Sequence, residues 1–194
     1  MTVHFSSDSH YGHRNILTYS KRPFDNVEEH DEMLIKNWND VVEPGDLIYH
    51  LGDFALCDVT RATAIAKRLH GTKYLIFGNH DKRLRKDAAF CSQWIWCRDL
   101  TSIEVGDQKI VLCHYALRTW HGSHRGAWSL YGHSHGSLKD DPYSLSLDVG
   151  VDCWDYTPVS FETIRQRMAK KTFRPVDHHG DDTYADAQAP SRAK

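Results

Sequence analysis

No run of eighteen apolar residues occurs in this chain of 194, and its amino terminus lacks the basic segment, apolar core and cleavage site of a secretory leader. These absences predict a soluble protein that neither enters a membrane nor is secreted, and that works in the cytoplasm. Cysteine is sparse: Cys57, Cys91, Cys97, Cys113 and Cys153 are odd in number and form no C-x-x-C pair. That usage suits free thiols in a reducing compartment, packed as small buried hydrophobes, better than a disulfide framework. Strong charge of either sign is missing too. The 24 basic and 26 acidic residues give a formal net charge of -2, too little positive field to grip extended duplex nucleic acid through its phosphates. Short or single nucleotides stay compatible with that balance. There is no internal repeat, and the length suffices for one compact domain with its own core.

What the chain does have is five short His/Asp/Asn islands: Asp8-Ser9-His10, Gly52-Asp53, Gly78-Asn79-His80-Asp81, His114, and Gly132-His133-Ser134-His135. Each follows an apolar, β-branched or aromatic run (TVHFSS, DLIYHL, KYLIF, KIVLC, AWSLY), which places the islands at strand ends. Val27, Met33, Leu34 and Trp38 recur at helical spacing, after a capping box of Asn26 and Glu29 and before the stop Pro44-Gly45. A second helix is expected over roughly 59–69, with Asp58 as its cap and Gly71 as its stop. SIEVGDQKIVLC predicts a hairpin turning at Gly106-Asp107, and SLSLDVGV a strand with Leu145, Leu147 and Val149 on one face. A last helix should cover about 161–171 with Ser160 as cap. From Pro175 the composition shifts to Asp, Ala, His and Pro, so residues 1–174 read as the domain and 175–194 as a disordered tail. Strands alternating with helices early and strands in succession later predict a mixed sheet covered on both sides, an α/β or α+β fold. Loops at the carboxyl ends of such strands carry the sites, so the islands should converge on one edge.

A dinuclear centre needs anionic oxygen, neutral imidazoles, and one carboxylate able to bridge. Asp8 and Asp53 supply carboxylates, His10, His114, His133 and His135 imidazoles, and Asn79 an amide oxygen. With several imidazoles and no cysteine in the set, Mn, Fe, Zn, Co or Ni fit better than an ion such as Ca that prefers all-oxygen shells. Metal binding can lower the pKa of water from about 15.7 to about 7, roughly 12 kcal/mol off the cost of hydroxide at neutral pH. Hydrolysis of a phosphoester is the natural reaction for such a pair.

The succession D-x-H, GD, GNHD, an isolated His after an apolar strand, and GHSH resembles the calcineurin-like metallophosphoesterase superfamily, over residues 8 to about 152. FSSDSHYGHRNILTYSKRPF, IYHLGDFAL and DVGVDCWDYTPVS further resemble a small bacterial and phage-type branch of it. The resemblance implies a two-sheet β-sandwich flanked by helices, with the site at the carboxyl ends of strands. It implies that Asp8, His10, Asp53 and His135 hold one divalent ion, manganese foremost, and that Asp53 bridges to a second held by Asn79, His114 and His133. It further implies attack by a metal-bridging hydroxide, with His80 off the metals as general acid. Asp81 follows His80 directly and is expected to orient it or raise its pKa, since a neighbouring carboxylate favours imidazolium.

Protein-phosphatase members carry GDxxDRG, whereas this chain has GDFALCDV. Phosphate recognition therefore falls to other donors, with His13, Arg14, Asn15 and Arg22 in the first loop and Arg83 after GNHD as candidates by position. His50 lies on the strand before Asp53, either supporting the centre or filling the core, and His121 and His124 lie between two islands, where they could line the cleft. In QWIWC, alternation puts both tryptophans on one strand face, packed in the core or a dimer contact; KRLRK reads as a solvated basic face. The function expected is hydrolysis of a small phosphomonoester or phosphodiester, a nucleotide or cyclic nucleotide foremost, by a monomer or homodimer. A nuclease or nucleic-acid end-processing phosphatase is the second enzyme reading, and a non-catalytic scaffold of the same fold the reading from another class.

Overall fold

The computed structural model describes residues 1–174 and Val176. The expected disordered tail lies, Val176 apart, outside the described residues. Along the chain run β1 (Val3–Ser6), α1 (Ile16–Tyr19), α2 (Val27–Val41), β2 (Leu47–His50), α3 (Val59–Arg68), β3 (Thr72–Ile76), α4 (Ala88–Cys91) and β4 (Cys97–Arg98). They are followed by β5 (Leu100–Val105), β6 (Gln108–Cys113), β7 (Trp128–Tyr131), β8 (Ser146–Asp148), β9 (Val159–Ser160) and α5 (Phe161–Met168).

The strands form two sheets, ordered β4-β3-β2-β1-β9 and β5-β6-β7-β8. In the first, β1 to β4 pair in parallel and β9 closes antiparallel on β1; in the second, β6, β7 and β8 are parallel and β5 is antiparallel on β6. Two apolar clusters hold these layers. Phe5, Leu51 and Ile76 from the first sheet meet Ile110, Leu112, Leu130 and Leu147 from the second, joined by Ile164 and Met168 of α5. Leu34, Ile35 and Trp38 of α2, with Ala62 and Ile65 of α3, pack on Ile48 and Leu75 across the first sheet's other face. The expected two-sheet α/β sandwich is what forms, with parallel strands buried on both faces as βαβ crossovers require.

Local sequence chemistry sets the helix starts. Asn26 accepts the Glu29 N–H at 2.9 Å, Asp58 that of Arg61 at 2.9 Å, and Ser160 that of Thr163 at 3.2 Å. Glu29 reaches back to the N–H of Asp25, one residue ahead of the cap. The last helix stops at Met168, short of residue 171. Gly106-Asp107 turns the β5–β6 hairpin, in which Val105 pairs with Gln108.

Two expectations are corrected. Trp94 is buried in the helix-side cluster while Trp96 packs against the inter-sheet cluster, 5.0 Å from the Tyr74 ring centroid. The tryptophans fall on opposite sides because the segment bends through Trp94 and Ile95 before β4 begins, so strand alternation does not apply. All five cysteines are free, but only Cys113 is buried: Cys57, Cys91 and Cys97 are half-buried and Cys153 is exposed. Among the described residues no helix is long and apolar enough to cross a membrane.

His50 is a core residue. It is fully buried, stacks on Trp38 at 6.2 Å, and uses Nε2 for a 2.9 Å bond with the Ser9 hydroxyl while Nδ1 has no partner. Burial pushes its pKa down to about 3, with His114 adding to the effect and Asp53 opposing it. Below pH 6.5 the unfolded chain takes up a proton that the folded chain refuses, so stability falls as pH drops, by about 1.4 kcal/mol per unit until about pH 3. In urea unfolding of metal-free protein between pH 7 and 5, wild type should lose about 1.4 kcal/mol per pH unit relative to His50→Gln below pH 6.5; equal slopes in the two proteins would show that His50 ionises freely in the fold.

Candidate metal centre

The carboxyl ends of β1, β2, β3, β6 and β7 point the same way, and the backbone keeps their loops in step beyond the strands. Leu51 N–H donates to Ser6 O at 2.7 Å, Asp8 N–H to Gly52 O at 2.9 Å, His10 N–H to Asp53 O at 3.0 Å, and Gly132 N–H to His114 O at 3.0 Å. The turns are strained where the islands lie. Asp8, His10, Asp53, His133 and His135 all have positive φ, between 47° and 68°, a region that L residues adopt at a cost of order 1–3 kcal/mol. The glycines before them are fitted by contact: a Cβ on Gly78 would strike the Asp53 carboxylate, and one on Gly132 would strike Ser7 and Asp8.

The side chains gather into groups whose ligand atoms lie within 4.8 Å of one another: Asp8, His10 and His135; His10, Asp53 and His80; Asp53, His114 and His133. Asp53 Oδ2 is 3.5 Å from His10 Nε2 and 3.4 Å from His114 Nε2, and His114 Nε2 is 3.1 Å from the Asn79 amide oxygen. Asp8 Oδ1 and His10 Nε2 are buried with no hydrogen-bond partner. Paired lone pairs of this kind, left unsatisfied in a dry interior, cost free energy unless a cation takes them up. The donor set therefore fits divalent metal ions.

Electrostatics agree. Burial pushes the Asp8 carboxyl up to about 7, although His114 and His135 pull it down. Burial also raises Asp53, but the hydrogen bond and charge of His114, the His80 N–H and the charge of His10 outweigh it and hold the carboxyl well below the usual range. Asp53 is thus a firm anion at the middle of the cluster, with the His80 N–H on its Oδ1 at 2.8 Å.

Imidazole orientation is set from outside the cluster. His114 Nδ1–H donates to Leu51 O at 2.8 Å and His135 Nδ1 pairs with Asp152 Oδ2 at 2.7 Å, which leaves each Nε2 for the centre. Asp152 was not singled out in the sequence, where it is one of three aspartates in the DVGVDCWDYTPVS stretch and nothing local marks it from Asp148 and Asp155. Asp148, near it and buried, also escaped notice.

Arg22 is corrected. It is buried at 4 % exposure, and its five N–H groups all have partners: both Asp152 oxygens at 2.9 and 2.7 Å, Asp8 O at 2.7 Å, Ser9 O at 3.0 Å and His30 Nε2 at 2.8 Å. No donor remains for a phosphate, so Arg22 braces the ligand loop instead of touching substrate. Asp81 is corrected likewise. It is fully buried and accepts the N–H groups of Asp53, Phe54 and Gly78 at 2.9, 3.0 and 2.8 Å, with no bond to His80 among the described residues. Its role is to lock the GD and GNHD turns together, and burial pushes its carboxyl up to about 6 against those three bonds.

His13 does reach the cluster, with Nδ1 3.2 Å from that of His10 and its ring 6.0 Å from that of His80. Arg14 and Asn15 are exposed on the same loop and make no hydrogen bond or ion pair to the cluster among the described residues. Arg83 lies in a groove with Asn79 and His80. His121 and His124 do not line the cleft: they flank Asp107, Gln108 and Lys109 at the start of β6, the opposite end from His114.

Residues 1–146 match the model of the calcineurin-like phosphoesterase superfamily domain. An uncharacterised protein of Methanocaldococcus jannaschii is 34 % identical, with 90 % of this chain and 96 % of that protein aligned. The Gene 66 protein of Mycobacterium phage L5 is 27 % identical over 77 % of this chain and 86 % of its own length. In structure, a protein of unknown function from Aquifex aeolicus superposes with a TM-score of 0.66 at 23 % identity, covering 86 % of this chain and 98 % of that one. With three quarters of its length inside the family domain and the His/Asp centre at the strand ends, the chain belongs to the calcineurin-like phosphoesterase superfamily and is a metal-dependent phosphoric ester hydrolase.

Proposed function

We propose that the protein hydrolyses a small phosphomonoester or phosphodiester of the nucleotide class at a dinuclear centre. The observation that carries the reading is the place of Asp53 Oδ2, within 3.5 Å of ligand nitrogens on either side. Asp8, His10, Asp53 and His135 would hold one divalent ion, and Asp53, Asn79, His114 and His133 the other, with manganese as the first candidate. Such ions supply a water acidified to near neutrality and positive charge for the phosphoryl oxygens. His80 is 38 % exposed in its side chain, and its Nε2 lies 4.0 Å from Asp53 Oδ2. From there it faces the leaving side and gives its Nε2 proton to the departing oxygen. His13, with Arg14 and Asn15 from the exposed loop, would contact the phosphate under attack in this reading, and Arg83 would contact the substrate on the leaving side, in the groove it shares with His80.

A panel of p-nitrophenyl phosphate, bis-p-nitrophenyl phosphate, nucleotides, cyclic nucleotides and a labelled oligonucleotide, tested after reconstitution with each metal, decides the matter. Two metal equivalents per chain and hydrolysis of a small ester are expected; full metal loading with no ester cleaved would reject the reading. In the same assay His80→Ala should slow alkyl esters by about 10²–10⁴-fold. Nitrophenyl esters, whose leaving group needs no proton, should lose far less. Equal losses on both would remove His80 as the acid.

A further inference from the structure

Beside the centre, on the His80 side, a groove of about 650 Å³ runs between the loop after β2 and the turn after β3. Leu56, Cys57, Asn79, His80, Lys82 and Arg83 line it. Its volume is that of a pocket for a nucleotide-sized ligand. Two walls differ in character. On one, Leu56 leaves an apolar side chain 41 % exposed, and Asp58, the groove's acidic residue, has its Oδ1 on the Arg61 N–H as the cap of α3. On the other stand Lys82 and Arg83, both exposed.

Most cations around these two are already paired. Arg85 pairs with Asp99, Arg61 with Asp31, Arg68 with Glu32, and Lys73 donates to Leu69 O. The side chains of Lys82 and Arg83 have no ion pair or hydrogen-bond partner among the described residues, a state they share with the exposed Lys86, which does not line the groove. Their backbone is nonetheless held, because Asp81 is buried on three N–H groups and Arg85 N–H closes on Asp81 O at 2.9 Å. The chain thus presents two positive side chains, neither in an ion pair, from a fixed turn one and two residues beyond Asp81, on the wall of a groove that begins at His80 and whose one carboxylate is Asp58.

We infer that this groove is a subsite for the leaving group and that Lys82 and Arg83 bind a second phosphate carried by it. The inference rests on the reading of His80 as the residue facing the leaving oxygen. The substrate class it selects is a phosphate ester or anhydride whose leaving portion is itself phosphorylated. A short oligonucleotide with a terminal phosphate and a nucleoside diphosphate share that chemistry, and a simple phosphomonoester lacks it.

Matched pairs test it. Wild type and the Lys82→Gln/Arg83→Gln double variant would be compared on dithymidylate with and without its terminal 5′-phosphate, and on adenosine diphosphate against adenosine monophosphate. Bis-p-nitrophenyl phosphate serves as the common reference. Wild type should prefer the member with the additional phosphate in kcat/KM by about tenfold or more in at least one pair, the size of one charge-assisted contact. That preference should fall to within about twofold in the double variant. The pair that shows it tells oligonucleotide from nucleoside polyphosphate. No preference in either pair, or a preference that survives the double substitution, overturns the inference. Equilibrium binding of adenosine diphosphate and monophosphate with chelator present, the fold checked by circular dichroism, reads the groove without turnover. If no ester on the panel is hydrolysed but the diphosphate still binds about tenfold tighter through Lys82 and Arg83, the hydrolase reading fails while the anion subsite stands.

Discussion

Replacing Asp53 by Asn is expected to lower metal-dependent phosphoesterase activity by at least about a thousandfold while the fold survives. A thousandfold corresponds to about 4 kcal/mol, a third of the roughly 12 kcal/mol that acidifying a water from 15.7 to about 7 is worth. The loss should be large because one oxygen, Oδ2, lies within 3.5 Å of His10 Nε2 and His114 Nε2 at once. Asn keeps the volume and can still accept the His80 N–H on its amide oxygen. It removes the negative charge that would hold two cations close together. Metal content should fall below two per chain, and circular dichroism should be unchanged, since the packing around the residue is preserved. Activity within about tenfold of wild type would show that Asp53 does not bridge.

Arg22→Met should destabilise the protein by about 3–5 kcal/mol, the usual result of removing one partner of a buried ion pair. Asp152 would then face a dry interior with His135 as its remaining charge partner, and the carbonyls of Asp8 and Ser9 would each lose a donor. Burial by itself raises the Asp152 carboxyl; the bonds from His135 and Arg22 bring it to about 2. A carboxyl so depressed contributes stability that is full above its unfolded pKa of about 3.8 and disappears as pH falls through about 2. In the variant, with Arg22 gone, that stability should begin to fail at a higher pH. Arg22→Lys should recover less than half of the loss, because an ammonium cannot span both Asp152 oxygens and two carbonyls with the geometry of a guanidinium. Urea unfolding at pH 7 measures both, and a loss under about 1 kcal/mol in Arg22→Met would show that the brace is redundant.

The two residues differ in how openly the sequence displayed them. Asp53 was legible because it stands in Gly-Asp at the end of an apolar run, and strand ends are where such a fold presents ligands. The same local grammar revealed the other candidate ligands and the helix caps at Asn26, Asp58 and Ser160. Arg22 was misread as a substrate contact because an arginine in a polar loop looks the same whether it faces solvent or a buried acid. Its partner Asp152 is 130 positions away. Asp81 was misread for a related reason: adjacency to His80 in the chain suggested a side-chain pair, while the turn aims its carboxylate at the N–H groups of Asp53, Phe54 and Gly78.

Taken alone, the sequence determined the kind of chemistry: which residues can ligate, their placement at strand ends, and a sandwich of strands and helices to carry them. Periodicity, caps and turns are properties of a few neighbouring residues, so they survive in a linear reading. Tertiary structure decided which charges are buried and what neutralises them. It sent Trp94 and Trp96 to different cores, put His121 and His124 at the far end of β6, made Arg22 and Asp81 braces, and left Lys82 and Arg83 open beside His80. The reason is desolvation: a charged group's role depends on whether water or a partner surrounds it, and the partner is supplied by whichever distant segment the sheet order brings alongside.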